Sequence, residues 1–407
     1  MRYYSITLTD PRTGQVLVPS SPPNSAAFTL SGDPTQSTWT SLNAGANVNV
    51  VGGTNPAAQR IELDITASPL HTADGNAKPF IRVWGVPLAQ VAQAADLNGM
   101  FFSISGGMSK GLPLSDPSQI GVLATGQVLQ CTGEWFNTDQ NLTLYLAPGG
   151  SSATYSSVSG AASAMQPVTA TSPVNLVFQW VKGQQMSDAI AQALGTAFPS
   201  IKVQMSISAS LVWGSDVPKT GYFQTLQQFA VFVNEASRSV LAGPNPSNTI
   251  YAPSTNPAYL GVQIVLSGGV LLVLDHSTET QPKQIKFQDL RGQPNWSAPG
   301  QVQLVTTLRG DISVGDYVQF PPVIGTTGSF GSPNGGVSPL IIGNSTTSTS
   351  LYPGQGNSGF QGTALVQKVR HLGDSRSPNG LAWITAMNCA FSQPTAGPAT
   401  NPGGSAS

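Results

Sequence analysis

Polar and apolar residues alternate over short segments in the first third of the chain. Every second side chain is apolar in residues 60–65 and 80–86, which is the period of a strand with one buried face. Further strand segments lie between Gly, Pro, Asn and Asp turns at 1–8, 100–105, 121–132 and 142–146. One short helix is expected within 87–95, where Leu88, Val91, Ala92 and Ala95 share a helical face. We therefore assign residues 1–165 to an N-terminal β-barrel domain.

The middle of the chain follows a Ser/Gly/Ala-rich linker at 149–164 and has a different period. A helix is expected between strand segments 174–181 and 201–207, and Gly195 is expected to end it. A second helix begins at Thr225, which resembles a capping box with Gln228. Residues 262–266 and 270–274 predict a hairpin. The apolar positions of the first helix are Met186, Ala189, Ile190, Ala193 and Leu194, and those of the second are Leu226, Phe229, Ala230, Val233 and Val240. Residues 166–283 are thus predicted to form a small α+β domain.

The last third of the chain returns to strand-like patterns. The strand segments are 284–287, 301–308, 317–320, 362–371 and 381–391. They predict a C-terminal β-barrel domain over 284–393, with a long Gly/Ser-rich insertion near 325–361 and a flexible tail at 394–407. The expected fold class is mainly β with a small α+β part, in which two β-barrel domains flank an α+β domain.

Composition changes this picture by favouring assembly. Only 9% of the 407 residues are charged, against roughly 25% in an ordinary soluble domain. Few charges suit a surface that neighbouring subunits cover, because a freely diffusing monomer keeps more charge for solubility. A net charge of -1 without a basic cluster disfavours a nucleic-acid binder. No apolar run reaches the length of a membrane-spanning helix, and the polar-aromatic residues 1–8 predict no secretory signal.

Histidine and cysteine positions disfavour a metal site. His71, His276 and His371 lie in three separate regions without the spacing of a zinc motif. Cys131 and Cys389 are also far apart in sequence, and we interpret them as two buried structural thiols in a reducing compartment.

Two arrangements of polar residues raise the question of hydrolysis. His371 lies near Asp374 and Ser375, but no Gly-x-Ser-x-Gly elbow surrounds a serine there, so the residues fit hairpin punctuation better. Glu62 and Asp64 share one face of a strand, as a glycosidase pair would. With Arg60 beside them, a solvated strand face or an interface salt bridge is the favoured interpretation.

The remaining candidates also have simpler structural interpretations. Glu134 stands beside two aromatic residues, which would raise the pKa of an acid, but without a second acid we interpret it as a rim residue. Residues 106–111 lack the order of a phosphate-binding loop and predict a glycine-rich turn. The tryptophans in or beside apolar stretches are Trp84, Trp180, Trp213, Trp296 and Trp383. We interpret them as core residues, and some of them are candidates for interface anchors. We therefore expect no catalytic, cofactor-binding or metal-binding residue.

Four stretches of the last third resemble a known family. Residues 285–296 contain the pattern D-L-x-G-x-P-x-W, residues 314–318 read V-G-D-x-V, and the runs 366–374 and 383–385 fit a closing hairpin. Together these stretches resemble the baseplate hub protein of contractile-tailed bacteriophages. Gly292 and Pro294 are expected to set a tight connection there, with Trp296 as an apolar plug. The first 165 residues carry no motif of that family.

The resemblance implies a structural function without a cofactor. Hub subunits of this family have two tail-tube-like barrels each, so three subunits match a sixfold tail tube to a threefold spike. The implied state is a homotrimeric ring in the virion tail baseplate, assembled in the bacterial cytoplasm. Its partners would be the central spike protein, the tail tube protein, other baseplate subunits, and tape-measure protein or DNA in an axial channel. The alternative is a secreted or surface carbohydrate-binding or hydrolytic β protein, which would be a monomer with a ligand cleft.

Overall fold

A computed structural model describes most of the chain, and strands dominate the described part. The described residues are 1–20, 27–72, 78–111, 115–149, 152–154, 165–167, 170, 173–199, 201–241, 260–267, 270–275, 281–298, 301–321 and 363–391. Within them lie three α-helices, namely α1 (Leu88–Ala92), α2 (Met186–Ala197) and α3 (Leu226–Leu241). The strands are β1 (Arg2–Thr9), β2 (Val16–Pro19), β3 (Phe28–Ser31), β4 (Trp39–Thr40), β5 (Arg60–Ala67), β6 (Phe80–Trp84), β7 (Phe101–Met108), β8 (Gly121–Phe136), β9 (Asp139–Pro148), β10 (Ser152–Thr154), β11 (Met165–Pro167), β12 (Pro173–Trp180), β13 (Lys202–Ser206), β14 (Lys219–Thr225), β15 (Gln263–Ser267), β16 (Val270–Leu274), β17 (Lys283–Gln284), β18 (Asn295–Ala298), β19 (Gln301–Thr307), β20 (Tyr317–Gln319), β21 (Thr363–Asp374) and β22 (Trp383–Phe391). The prediction of a mainly β fold is confirmed.

One large sheet joins the first and last thirds of the chain. Its 15 strands follow the order β18-β19-β22-β21-β5-β6-β9-β8-β7-β1-β2-β3, with β4, β17 and β20 attached beside this path. The pairs along the path are antiparallel, and the β17–β20 pair is parallel. The junction is the pair of β21 with β5, in register from Val369 opposite Ala67 to Asp374 opposite Glu62. The N-terminal and C-terminal β regions are therefore continuous through backbone hydrogen bonds.

The middle of the chain packs two helices on small sheets. Strand β12 pairs with β14, while β13 runs parallel to β16 and β16 forms the predicted hairpin with β15. Helices α2 and α3 share one hydrophobic core with these strands. The prediction that Gly195 ends α2 is wrong, because the helix continues to Ala197. At the start of α3, Thr225 Oγ1 accepts a hydrogen bond from the backbone N of Gln228 at 3.2 Å, as a capping residue should.

Two local predictions in the N-terminal region need correction. Residues 106–108 continue strand β7 instead of forming a turn. A side chain at Gly106 would meet Leu123 and Leu308, so the glycine permits close packing within the sheet. In α1 the buried residue is Gln90 and Val91 packs against the N-terminal core, whereas Leu88 is exposed, so only part of the predicted face contacts the core.

The hydrophobic cores cross the boundaries that the sequence suggests. The N-terminal core includes Leu308 and Trp383 from the last third of the chain. The C-terminal core contacts Ala67 and includes Val265 from the middle region. Domain boundaries at 165 and 283 remain predictions. The 325–361 insertion, the 394–407 tail and most of the 149–164 linker lie outside the described residues. In the described part of the chain, none of the helices has the length and apolarity needed to cross a bilayer.

Candidate functional site

A polar surface covers the outer side of the sheet at the junction of the two β regions. Along β5 the odd-numbered residues Ile61, Leu63 and Ile65 are buried, so the even-numbered side chains lie on the other side. Glu62 lies opposite Arg82 on one side and Asp374 on the other. We call this surface the polar sheet face and define it by Arg60, Glu62, Asp64, Phe80, Arg82, Trp84, Thr143, Arg370 and Asp374. It combines residues from strands β5, β6, β9 and β21.

Each carboxylate of the polar sheet face is paired with an arginine. Arg60 Nε and Nη2 donate to the two carboxylate oxygens of Asp374 at 3.0 and 2.8 Å. Arg60 Nη2 also donates to Glu62 Oε1 at 2.6 Å. Arg370 makes the same two-pronged contact with Asp64, at 2.9 and 2.6 Å. Glu62 and Asp64 thus form salt bridges within the chain on a partly exposed strand face, and an interface salt bridge stays a prediction.

The pKa values of Arg60, Arg370 and Asp374 are shifted by these contacts. The hydrogen bond to Asp374 raises the pKa of the Arg60 guanidinium, and the hydrogen bond to Asp64 does the same for Arg370. Burial acts to raise the pKa of Asp374, but hydrogen bonds from Arg60 and from the backbone N of Arg376 outweigh it and hold the pKa below its usual range. The Asp374 carboxylate is therefore ionised, and its charge is balanced by the Arg60 guanidinium.

Trp84 is held between two of these arginines. The Arg60 and Arg82 guanidinium carbons lie 5.5 and 5.6 Å from the centre of its ring. A cation over the face of an indole is attracted by the ring electrons, and here both cations also contact Glu62. These contacts hold the long arginine side chains against the sheet.

The D-L-x-G pattern lies where the two β regions meet. Asp289 is 2% exposed, and its Oδ2 accepts hydrogen bonds from Gln119 Nε2 at 3.0 Å, the backbone N of Lys286 at 3.1 Å and Arg309 Nη1 at 3.3 Å. Gln119 belongs to the N-terminal region, so a motif residue of the last third binds directly to the first. A salt bridge of 2.6 Å between Lys286 Nζ and Asp116 Oδ2 reinforces the contact.

Two glycines allow the backbones of the first and last thirds of the chain to cross close to Asp289. A Cβ added at Gly121 would lie 2.3 Å from the carbonyl O of Gly310, and one at Gly310 would lie 2.4 Å from the carbonyl O of Gly121. Gly310 N also donates to the carbonyl of Gln119 at 3.0 Å. No pattern used above predicts this site. The signal that was present is Arg309-Gly310-Asp311, a charged glycine turn that directly follows the apolar strand β19.

The V-G-D-x-V pattern stabilises the C-terminal region internally. Gly315 has a φ of 93°, which favours glycine, and its N donates to the carbonyl of Val366 at 2.9 Å. Asp316 Oδ2 accepts from Lys283 Nζ at 2.8 Å and from the backbone N of Ser313 at 2.6 Å. Gly292 likewise has a positive φ of 113°, as expected for the tight connection. The Trp296 side chain lies outside the described part of the structure, so its role as a plug remains a prediction.

The candidate catalytic residues are not brought together as a triad. His371 is buried and shares a hydrogen bond of 3.0 Å with Thr385 Oγ1, and burial lowers its pKa to about 4. Asp374 is instead bound to Arg60, and Ser375 Oγ accepts from the backbone N of Ile61 at 2.9 Å. This part of the chain belongs to the pairing of β21 with β22, and the absence of catalysis stays a prediction.

The other candidate ligands are also separate. Cys131 and Cys389 are buried in different cores, as predicted, and burial raises the pKa of each thiol to about 12. His71 is half-buried, and its pKa is lowered by burial and by the nearby Arg238. His276 lies outside the described residues. Among the residues that the structure describes, no three His, Cys, Asp or Glu side chains gather as a metal site.

A long hairpin projects beside the polar sheet face. Strands β8 and β9 pair up to Phe136 opposite Asp139, and Asn137 turns the chain with a φ of 53°. Trp135 and Phe136, at the tip, are exposed. Asn141 Nδ2 donates to Glu134 Oε2 at 3.4 Å, so Glu134 is an exposed polar residue near the tip, as the sequence suggests.

Comparison with known proteins gives structural neighbours only. A scan of protein-family models finds no match, and a search of curated proteins finds none either. The fold is similar to the 43 kDa tail protein of prophage MuSo2 from Shewanella oneidensis (TM-score 0.40, 9% identity, 84% of this chain and 95% of that chain). It is also similar to the tail protein from Neisseria meningitidis MC58 (TM-score 0.42, 9% identity, 95% and 96%). A Francisella PdpA-VgrG complex in a half-lidded state is a third neighbour (TM-score 0.38, 7% identity, 97% and 58%).

Proposed function

We propose that this chain is a structural hub subunit of a contractile phage baseplate, which joins the tail tube to the central spike. The observation that carries the proposal is the antiparallel pairing of β21 with β5, because it aligns two β regions of one chain side by side in one sheet. Three copies of such a subunit supply six β regions around a ring. That arrangement matches a sixfold tube on one side and a threefold spike on the other.

The polar sheet face suits the wall of an axial channel. Its three carboxylates are each bound by arginines, so the surface is polar but nearly neutral. A protein that binds DNA firmly needs cations that are free to contact phosphates. A surface whose arginines are already paired lets DNA or tape-measure protein pass without being retained. The proposed role is mechanical, and its site is the virion tail.

The Asp289 junction supports the same role. Rings that transmit force need subunits whose parts do not separate, and a buried charge network holds its members in one geometry. Asp289 connects the first and last β regions through Gln119 and Arg309. The motif that carries the family resemblance therefore adds side-chain contacts to the β21–β5 pairing that joins the two regions.

The test is the stoichiometry of the chain in intact tails. Complexes extracted from particles are measured by mass photometry, with the spike and tube proteins identified by mass spectrometry. We expect three copies of the 42.1 kDa chain per complex, in contact with both proteins. A single copy per complex, or a chain absent from the tail, contradicts the proposal. A monomer that binds or cleaves carbohydrate would support the alternative function.

A further inference from the structure

The tip of the β8–β9 hairpin carries two large apolar side chains that no part of the described chain covers. Trp135 is 62% exposed and Phe136 is 75% exposed. The neighbouring charged residues, Glu134 and Asp139, are both acidic, and no basic residue lies between 133 and 140. Exposed aromatic residues in a polar setting are typical of protein contact sites. The tip therefore presents an aromatic surface with negative charge.

The tip is also ordered and has two apolar sides. Successive strand residues point to opposite faces, so Trp135 and Phe136 lie on different sides of the hairpin. Trp135 Nε1 donates to the carbonyl of Asn137 at 2.8 Å, which fixes the indole across the turn. We call this hairpin tip, with Trp135 and Phe136, the aromatic knob. Because the aromatic knob is apolar on both sides, a cavity that encloses it buries more of its surface than a flat partner would.

A groove of the right character lies at the same end of the molecule. One cavity of about 670 Å³ includes Tyr4, Pro56 and Ala58 in its lining. A second cavity of about 410 Å³ includes Trp84 and Arg60. The two cavities share Ala58, Gln59 and Arg376 in their linings, so they adjoin each other. We call the two cavities together the arginine groove.

Arg376 gives the arginine groove a positive charge. Its side chain is exposed, and the hydrogen bonds from its Nη2 go to the carbonyl oxygens of Pro56 and Ala58. Those acceptors carry no formal charge, so the guanidinium charge is not neutralised by them. Arg2 also lines the groove and donates to the carbonyl oxygens of Asp374, Ser377 and Asn379. An acidic aromatic knob is thus complementary to this groove in both charge and polarity.

The knob and the groove adjoin, which determines the symmetry of the contact. Thr138, Asp139 and Gln140, at the hairpin tip, line the second cavity. A patch that contains a knob and its complement side by side is self-complementary, and such patches pair about a two-fold axis. We propose that two copies of this chain pair end to end, each inserting Trp135 and Phe136 into the arginine groove of the other, with Glu134 facing Arg376.

The size of the contact fits a reversible association. In the pair, Trp135 and Phe136 of each copy would bury about 150 Å² per side chain at their observed exposures. With an equal area of the two grooves, the total buried area is about 1,200 Å². That is the lower end of the range for specific interfaces, so we expect a dissociation constant roughly in the micromolar range.

The experiment measures mass against concentration for the full-length chain and its variants by analytical ultracentrifugation. We expect the mass to double as the concentration rises. Phe136→Ala should raise the dissociation constant of the pair by more than about tenfold, as expected for a central aromatic contact. Phe287→Ala is the matched control, because Phe287 is also exposed, at 64%, but lies outside the hairpin tip and the groove.

A charge exchange tests the facing residues directly. Glu134→Arg alone and Arg376→Glu alone should each prevent pairing, since like charges then meet at both contacts of the dimer. An equal mixture of the two variants should pair again, because both contacts of the mixed dimer then join opposite charges. Recovery in the mixture also shows that each variant is folded.

The pairing is contradicted if the mass does not double up to about 100 μM, or if Phe136→Ala leaves the doubling unchanged. It is also contradicted if Phe136→Ala abolishes binding to a different protein while self-association is unaffected. The doubling of mass by pairing can be distinguished from the threefold stoichiometry proposed for the ring. If the protein is a trimer whose mass does not double, only the pairing is contradicted. If it is a monomer whose mass doubles, only the ring is contradicted.

Discussion

Replacing Asp289 with alanine removes the acceptor that joins the two β regions. Its Oδ2 receives hydrogen bonds from Gln119, from Arg309 and from the backbone N of Lys286. The substitution leaves Arg309, only 3% exposed, beside an empty space in the core. We expect the free energy of unfolding to fall, because buried donors lose their carboxylate acceptor.

The contacts that remain set the size of the loss. Removing one partner of a buried ion pair costs about 3–5 kcal/mol. Arg309 keeps two hydrogen bonds to Asp311, at 3.0 and 2.7 Å, and one to the carbonyl of Gln284 at 2.8 Å. The guanidinium is therefore not left alone, and we expect a loss of about 2–4 kcal/mol. Asp289→Asn, which keeps the shape and one oxygen acceptor, should lose less.

The assay is urea unfolding followed by intrinsic fluorescence, with Asp216→Ala as the matched control. Asp216 also accepts a salt bridge, from Lys182 at 2.6 Å, but its side chain is 87% exposed. Exposed pairs contribute about 0–1 kcal/mol, so the control should remain close to the unchanged protein. If Asp289→Ala and Asp216→Ala lower the free energy of unfolding equally, within about 0.5 kcal/mol, the Asp289 contacts do not hold the two regions together.

Three further substitutions test the packing, the buried histidine and the polar sheet face. Gly121→Ala should destabilise the chain by about 1–3 kcal/mol in urea unfolding because its Cβ would strike the Gly310 carbonyl, whereas Gly32→Ala, with nothing within 4 Å, should not. Because burial holds the pKa of His371 at about 4, the unfolded state binds an extra proton below about pH 6.5 and stability falls as the pH is lowered to 4, by on the order of 3 kcal/mol. His371→Gln should reduce that slope, and an unchanged pH profile of unfolding would contradict it. Asp64→Arg should make the chain retain DNA in a salt-dependent way in fluorescence anisotropy, because two free cations then lie together; equal binding at low and high salt would argue against this account.

The local elements of this protein follow from its sequence because their signals are periodic. Alternation in residues 60–65 is sufficient to predict β5 and to assign Glu62 and Asp64 to one face. Helical spacing identifies α2 and α3 for the same reason. The sequence does not predict strand β14, because Gly221 and flanking polar residues interrupt its alternation. In the structure Phe223 packs against the core of the middle region, and its ring lies against Gly221.

The tertiary structure decides which segments meet, and periodicity carries no information about that. The pattern of β21 predicts a strand with one buried face but not that it pairs with β5, about 300 residues away in the chain. The sequence marks Asp289 as part of a turn, whereas its burial depends on Gln119 and Arg309 arriving from two other segments. Gly195 shows the converse, since packing of α2 on the core keeps it helical although glycine alone favours an end. A side chain's face is a local property of the backbone, while its partners are set by long-range packing.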